Sequence, residues 1–341
     1  ISPYIDSIVP ALTPSPEDNP ADNILEVFCG NNDDSADWIS SYKRSKMAEE
    51  AYESNVNAVE SKKGIIVDNS LQKASTWNQF YNVLTRQLLA HWRNPSYTAI
   101  RWWWTIAANI IIGLIYFGSG KDPTSVSGLT NTIGAMFFYV NVATVPLLSA
   151  VVPLITERAI MYREVVSGTY SNAVYGLAVQ LAELPFNLGA GLISWVIFYW
   201  MVGLNPEGER VIYFILMALA SYWLLPSMGQ LVALLSPNIG AAVGMGGLLM
   251  TLFQLTMGFL IPSNAIPPWY IWIYWINPLR YIQQGLTVNQ VGGSPLGDAA
   301  LEDLGWKYED RWWYCFVAVL LFIVGTSMSI IFATRISWIK R

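Results

Sequence analysis

Six long apolar segments place the strongest constraint on the fold of this chain. Hydrophobic residues make up 53% of its 341 residues and charged residues only 13%, which is more apolar than a soluble domain of this size requires. A helix that crosses a bilayer needs about 20 predominantly apolar residues. The sequence therefore predicts an all-α membrane protein with six transmembrane helices, at 101–117, 129–155, 174–204, 211–235, 239–261 and 312–334.

The basic residues predict on which side of the membrane each connection lies. Of the 19 Lys and Arg residues, nine precede or begin the first span, two lie between spans two and three, and three follow the sixth span. Only the remaining five fall on the opposite side. Since basic residues are enriched in cytoplasmic loops, we expect a multi-pass membrane protein with both termini in the cytoplasm.

A short polar segment, 156–171, interrupts the apolar pattern between spans two and three. Its two basic and two acidic side chains would be costly in hydrocarbon, and the charge pattern places it in the cytoplasm. We predict a cytoplasmic coupling helix here, which contacts a separate soluble domain. The alternative is that the charges only solvate a loop and fix its topology. The candidate coupling residues are Glu157, Arg158, Tyr162, Arg163 and Glu164.

An amphipathic helix is predicted over 76–93, before the first span. Its apolar residues recur at spacings of three and four, which produces one apolar helix face suited to the membrane interface. Asn94 and Pro95 are expected to end this helix and turn the chain into the bilayer. Arg86 and Arg93 could contact either lipid phosphate or the soluble domain. The polar residues 1–75 contain too little apolar material for a folded domain and are typical of a linker.

Glu183 is the one formal charge well inside a predicted span. An ionisable group at that depth faces the bundle interior or water. Glu183 could therefore form a polar relay with neighbouring spans, or it could reach water near the cytoplasmic face where Pro185 kinks the helix. His91 is interpreted as a surface residue of the interfacial helix. Because no paired His, Asp or Glu residues lie at depth, we expect no catalytic residues and no metal site.

Two further features lie in the predicted spans and in the connection after span five. The aromatic segment 266–278 is too short to cross the bilayer and is expected to re-enter the outer leaflet, either as an aromatic belt or as a lid over an exit path. Spans two and five carry small polar and aromatic residues that suit an amphipathic cargo, although ordinary helix packing would also explain them. These substrate-path candidates are Phe138, Asn141, Thr144, Thr251, Gln254 and Leu255.

Five sequence blocks occur in order along 19–341. They are Asn19-Pro20-Ala21-Asp22 within 19–27; Trp92-Arg93-Asn94-Pro95-Ser96-Tyr97; Glu157-Arg158 with Tyr162-Arg163-Glu164 and Gly168-Thr169-Tyr170-Ser171; Glu183-Leu184-Pro185; and 272–278. The first block resembles the stretch that closes the nucleotide-binding domain in ABC transporters of subfamily G. The other four resemble the transmembrane half of the full-size pleiotropic drug resistance branch of that subfamily, so the likeness covers 19–341. One departure is Arg280, which adds a charge to the re-entrant segment.

The resemblance implies a division into domains and a set of partners. It implies that 1–75 contains the tail of a nucleotide-binding domain and a linker, that 76–93 is a connecting helix, and that 94–341 is a six-span ABC-2 type domain. It further implies nucleotide-binding domains that use ATP and Mg, a second six-span half, membrane lipid, an amphipathic substrate and a plasma-membrane location. Phe259 and Leu260 match the family's apolar plug. The chain is interpreted as a fragment, with the second half of a full-size protein favoured.

The implied function is ATP-driven export of amphipathic small molecules or lipids. The sequence contains no phosphate-binding loop of the type Gly-x-x-x-x-Gly-Lys-Ser/Thr, so we expect ATP to be hydrolysed outside this fragment. The sequence shows no cluster of basic residues typical of nucleic-acid binding, so nucleic acid is not expected as a partner. The alternatives are an intramembrane enzyme, a channel, and a non-drug ABC-2 type permease for lipid or polysaccharide.

Overall fold

A computed structural model of the protein describes residues 46–61, 74–121, 125–306 and 312–339. The chain divides into two compact units, Ile1–Gln72 and Lys73–Arg341. In the first unit the described part is one helix, α1 (Lys46–Ser61). The remainder of the predicted linker up to residue 73, including the block at 19–27, lies outside the described residues.

The second unit is a helical bundle. Its helices are α2 (Thr76–Trp92), α3 (Pro95–Ile115), α4 (Val126–Ser149), α5 (Val151–Val166), α6 (Asn172–Val202), α7 (Gly208–Leu235), α8 (Ile239–Leu255), α9 (Ile271–Ile276), α10 (Pro278–Val291), α11 (Pro295–Asp303) and α12 (Trp312–Ile339), with short 3-10 turns at Ser119–Lys121 and Ser263–Ala265. The described ranges contain helices and no strand, which confirms the predicted all-α fold class.

Within the described residues, five apolar stretches are long enough to cross a membrane. They are Tyr97–Ile115, the 41 residues of Val126–Val166, Asn172–Val202, Gly208–Leu235 and Trp313–Thr334. The predicted fifth span is shorter than expected, because α8 ends at Leu255 after 17 residues. Just beyond that end, Gly258 has a φ of 96°, a backbone conformation that glycine adopts without the strain other residues would incur.

Helix α7 lies at the centre of the bundle. It packs against α4, α6 and α12 and also contacts α5, α8 and α10. Large side chains along α7, including Phe214, Met217, Tyr222 and Leu225, are fully buried. A helix that is apolar on all sides is expected in such a central position.

The break between α2 and α3 follows the prediction. Ser75 caps the start of α2 by accepting a hydrogen bond from the Asn78 amide at 3.3 Å. Helix α2 ends at Trp92, and the Asn94 side chain then accepts a hydrogen bond from the Tyr97 amide at 3.2 Å. Pro95 occupies the first position of α3, where the amide hydrogen it lacks would have had no partner within the helix.

The polar segment is not the separate short helix that the sequence predicted. Its residues up to Val166 are the second half of α5, which follows α4 after a break of one residue, Ala150. Glu, Arg and Met are good helix formers, so charged side chains do not interrupt the backbone helix that continues from span two. The turn after α5 then leads to Ser171, which caps α6.

The segment around 266–278 also differs from the expectation. Only Ile271–Ile276 is helical within it. The element that enters the bundle is the next one, α10, which begins at the end of the re-entrant segment and which the sequence analysis did not predict as a helix. Every residue of α10 is buried. Gly285 makes this packing possible, because a Cβ atom there would overlap Tyr213 and Met217 of α7.

Candidate functional site

An ion pair joins the amphipathic helix α2 to the charged half of α5. The Arg86 Nη1 atom lies 2.6 and 2.7 Å from the two carboxylate oxygens of Glu164. The Tyr170 hydroxyl donates to the same carboxylate at 2.8 Å. The next residue of α2, Gln87, donates from its side-chain amide at 2.8 Å to Glu157, which lies about two turns before Glu164 on α5. We call these five residues the α2–α5 clamp.

The clamp is partly exposed. The Arg86 side chain is 43% exposed and that of Glu164 is 27% exposed. Burial alone would lower the pKa of Arg86, but the hydrogen bonds and charges of Glu164 and Tyr170 together outweigh it and raise the pKa above the usual value. Since ion pairs in this range of exposure contribute little to stability, the clamp serves to position α2 against α5 more than to hold the fold together.

Arg158 contacts a different part of the bundle. Its Nη1 atom donates to the Ser236 carbonyl at 2.7 Å, and its Nη2 atom donates to the Ala233 carbonyl. These carbonyls lie at the C-terminal end of α7, where a helix has no intrahelical donors for its last carbonyls. A cation at that end also complements the helix dipole. Arg158 therefore ties α5 to α7.

The five predicted coupling residues thus fall into two groups. Glu157, Arg158 and Glu164 are bonded to α2 or α7. Arg163 is exposed, and Tyr162 is half-buried. The structure therefore brings the charged side chains of α5 into the same unit as the membrane helices, rather than leaving all of them open to solvent.

Glu183 is the centre of a second, buried cluster. Its side chain is 4% exposed and lies 3.1 Å from Arg101 Nη1 of α3. The Tyr97 hydroxyl donates to Glu183 at 2.6 Å, and the Asn187 amide donates at 3.2 Å. The His91 Nε2 atom of α2 lies 3.6 Å away. We call these five residues the Glu183 cluster.

The structure places the Glu183 carboxylate inside the bundle. The sequence had left open whether it lies there or reaches water near the cytoplasmic face. The carboxylate faces other helices and is enclosed by them. Arg101 also donates from Nε to the Ser149 hydroxyl at the end of α4 at 3.0 Å. The cluster therefore connects α2, α3, α4 and α6.

Two residues of this cluster correct the sequence analysis. His91 is buried and not a surface residue, because the face of α2 that carries it packs on α6. Arg101, which the sequence analysis placed at the boundary of the first span, lies inside α3 and is 4% exposed. The signal that could have found the pair was the presence of one basic and one acidic residue near the same ends of two adjacent spans.

The predicted substrate-path residues lie on neighbouring helices, α4 and α8. Phe138, Thr251 and Leu255 are exposed, and Asn141 and Gln254 are half-buried. The Thr144 side chain is buried, and its hydroxyl donates to the Asn141 carbonyl at 2.6 Å. That side chain faces the interior of the bundle, whereas Phe138 and Leu255 remain available for contact with another molecule.

The two predicted plug residues differ in their surroundings. Phe259 stacks on Phe137 of α4, with ring centroids 4.7 Å apart. Leu260 is half exposed. Phe259 therefore packs the segment after α8 against α4.

The sequence analysis did not identify α10 as a polar helix inside the bundle. Its buried polar side chains include Arg280, Gln283, Gln284 and Thr287. Asn277 caps the helix by accepting from the Leu279 amide at 2.9 Å. The sequence did contain a signal, since an Asn-Pro pair at the start of a helix is a common initiation pattern.

A family model and several curated proteins match this chain. The ABC-2 type transporter family model matches residues 78–291, which is more than half of the chain. ABC transporter G family member 36 of Arabidopsis thaliana is 32% identical over 219 residues, which cover 64% of this chain and 15% of the relative. Member 32 of the same plant is 28% identical over 85% of this chain and 21% of the relative.

A longer alignment extends this likeness over nearly the whole sequence. ABC transporter G family member 41 of Arabidopsis thaliana is 25% identical over 95% of this chain, which spans 24% of that relative. The chain therefore spans less than a quarter of the length of these curated relatives and is homologous to members of the G family.

Proposed function

Because this chain belongs to the ABC-2 type transporter family, we propose that it is the membrane-spanning part of an ATP-driven exporter. The proposed cargo is an amphipathic small molecule or lipid. ATP and Mg would bind to nucleotide-binding domains outside residues 1–341, and a second six-span half would complete the transporter. We further propose the full-size pleiotropic drug resistance type, a plasma-membrane location and cytoplasmic termini.

The α2–α5 clamp is the observation that carries this proposal. Arg86 and Glu164 hold α2 against the charged half of α5 at 2.6 Å, and Gln87 and Glu157 make a second connection about two turns along α5. Helix α5 continues from α4, so a force on its charged half acts on a membrane helix. A rigid-body movement of an attached nucleotide-binding domain would therefore reach the bundle through the clamp.

The contacts of α5 also indicate which other helices would move with it. Arg158 binds the end of α7, and the turn after α5 leads directly into α6. A displacement of α5 would therefore act on α4, α6 and α7 together. Phe138 and Leu255 lie exposed on α4 and α8, where the proposed cargo would bind.

A charge-reversal experiment on the full-length protein tests this role. In Arg86→Glu and in Glu164→Arg, like charges face each other, so we expect stimulation of ATP hydrolysis by an amphipathic rhodamine dye to fall by at least about fivefold. The double variant restores opposite charges and should recover most of the stimulation. The measurement is ATPase activity in lipid nanodiscs, with and without dye.

A matched control is available at the other end of the bundle. Glu207 pairs with Arg210 at 2.7 Å at the N-terminal end of α7, whereas α5 contacts the C-terminal end of that helix through Arg158. Glu207→Gln should therefore retain dye stimulation. The clamp assignment is wrong if the single reversals keep normal stimulation, or if the double variant is no better than either single one. ATP-dependent uptake of fluorescent phosphatidylcholine or of the dye into inside-out vesicles tests export itself.

A further inference from the structure

A buried arginine in α10 has no acidic partner among the residues that the structure describes. Arg280 occupies the first turn of the helix and is 5% exposed. Its guanidinium carbon lies 4.3 Å from the ring centroid of Tyr274, 4.2 Å from that of Trp275 and 4.6 Å from that of Tyr281. We call these three rings the aromatic cage. The charge is therefore enclosed by aromatic faces.

The aromatic cage satisfies only part of what this side chain needs. Cation–π contacts stabilise a cation. They do not accept in-plane hydrogen bonds, and the Nε and Nη1 atoms of Arg280 have no hydrogen-bond partner among the residues that the structure describes. No salt bridge to Arg280 is found in that part of the chain either. A buried charge without a counter-charge is costly, so the arrangement points to an anion that is bound from outside the chain.

The local electrostatics favour a negative group at this place. Arg280 lies at the N-terminal end of α10, where the helix dipole is positive. A guanidinium can donate two parallel hydrogen bonds to a carboxylate or phosphate. In surroundings poor in water such a pair is stronger than at a protein surface. A ligand with one of these anionic groups would supply the acceptors that Nε and Nη1 lack.

An apolar groove lies directly beside the aromatic cage. Tyr281, which forms one wall of the cage, also lines a groove of about 510 Å³ between α10 and α12. The rest of the groove is mainly apolar and is lined by residues of α12, including Tyr314, Val317, Leu321 and Phe322. Trp275, on another side of the cage, is 49% exposed. A hydrocarbon chain could therefore lie in the groove while its head group reaches the guanidinium past these rings.

We propose that Arg280 binds the anionic head group of an amphiphile whose apolar chain lies in the groove between α10 and α12. The head group is a carboxylate or a phosphate, and the molecule is either a single-chain amphiphile or a membrane phospholipid. Tyr281 and Trp275 must turn aside as the head group enters, and they then pack against it. The proposal goes beyond export, since the site binds its ligand whether or not that ligand is carried across the membrane.

Photolabelling of the full-length protein in phosphatidylcholine nanodiscs tests the site. The probes are stearic acid with a diazirine in its chain, the methyl ester of the same acid, and a phosphatidic acid with the same chain. Mass spectrometry locates the label. We expect saturable labelling of α12 at 314–329 by an acidic probe and none above background by the neutral ester. Competition between the two acids shows whether the single-chain or the phospholipid anion is preferred.

Three variants make the test specific to Arg280. Arg280→Met removes the charge and should raise the half-saturating probe concentration at least about tenfold. Arg280→Lys keeps the charge without the bidentate geometry and should retain intermediate binding. Lys121→Met removes an equal charge from the 3-10 turn outside the groove and should label as the unchanged protein does.

The proposal fails if the ester labels the groove as well as the acids do, because the apolar chain alone would then explain binding. It also fails if Arg280→Met and the unchanged protein saturate at the same concentration. Should Arg280→Met not fold, equal saturation by Arg280→Lys and the unchanged protein, together with equal labelling by acid and ester, would overturn it.

Discussion

Two arginines in this bundle have nearly equal burial and opposite surroundings. Arg101 of α3 is 4% exposed and Arg280 of α10 is 5% exposed. Each lies 4.3 Å from the centroid of a tyrosine ring. Arg101 is also 3.1 Å from the Glu183 carboxylate, whereas Arg280 has no carboxylate within bonding distance among the described residues. One charge is neutralised within the chain, and the other is available to a molecule from outside.

This difference separates a structural role from a binding role. The Glu183 cluster uses its charges to join four helices, so its residues are tied to one another. The aromatic cage holds a charge in place without using up its hydrogen-bonding capacity. Burial alone therefore does not show what a charged residue does inside a membrane protein. The presence or absence of a counter-charge does.

The largest expected effect comes from breaking the Glu183 cluster. In Glu183→Gln, Arg101 loses its only carboxylate partner while it remains buried, so we expect a loss of about 3–5 kcal/mol in stability. The loss appears as a lower Tm in detergent, measured by intrinsic fluorescence. In Arg101→Met/Glu183→Leu, which removes both charges, the loss should be smaller than the sum for the two single variants. Additive losses would show that the two residues do not stabilise each other.

A smaller effect is expected from the pH dependence of His91. Burial lowers the pKa of this imidazole, but the hydrogen bond and the charge of Glu183 raise it above the usual value, and the charge of Glu157 adds to this. A group whose pKa is raised on folding stabilises the protein below its unfolded pKa, and that contribution is lost as the pH rises through the folded pKa. The Tm of the unchanged protein should therefore exceed that of His91→Gln by more at about pH 6 than at about pH 9.

The same Tm difference at both pH values would show that folding does not raise the pKa of His91. Tyr97 also faces the His91 ring, with centroids 5.4 Å apart, so Tyr97→Phe serves as a comparison. That variant removes a hydrogen bond to Glu183 and leaves the imidazole in place. Its Tm should fall without abolishing the pH dependence.

The smallest effect on stability is expected at Arg280. Arg280→Met removes a buried charge that has no partner to leave behind, while it loses the contacts with the aromatic cage. These terms oppose each other, so we expect stability within about 1 kcal/mol of the unchanged protein in neutral detergent. A drop in Tm as large as that of Arg101→Met would mean that the chain itself provides a counter-charge for Arg280.

The features that could be predicted depend on residues that lie close together in the sequence. The helix 76–92, its end at Asn94 and Pro95, and the long apolar spans all follow from periodicity, capping and length. The sequence could not predict which charges pair, because the contact between Arg101 and Glu183 depends on how α3 and α6 are placed relative to each other. For the same reason the sequence could not show that His91 is buried, since its burial depends on the packing of α2 against α6.

Helix α10 was missed for a related reason. Its Arg, Gln, Thr and Asn residues reduce its hydropathy to that of a loop, although all of them are buried. A polar helix can lie inside a membrane protein when its side chains bond to other helices, and a sequence does not reveal those partners. Glu157, Arg158 and Glu164 illustrate the opposite case, since the sequence indicated their charges but could not show their bonds to α2 and α7.

The position of α10 also has a consequence for how the chain is made. Asn277 joins the start of α10 to the end of α8 by donating to the Phe253 carbonyl at 2.7 Å, so one attachment exists as soon as α10 has been synthesised. The other side of α10 packs against α12, which the ribosome reaches only after Trp312. Until then, part of this polar helix has no protein surface to cover it, and its burial is completed only when the last span arrives.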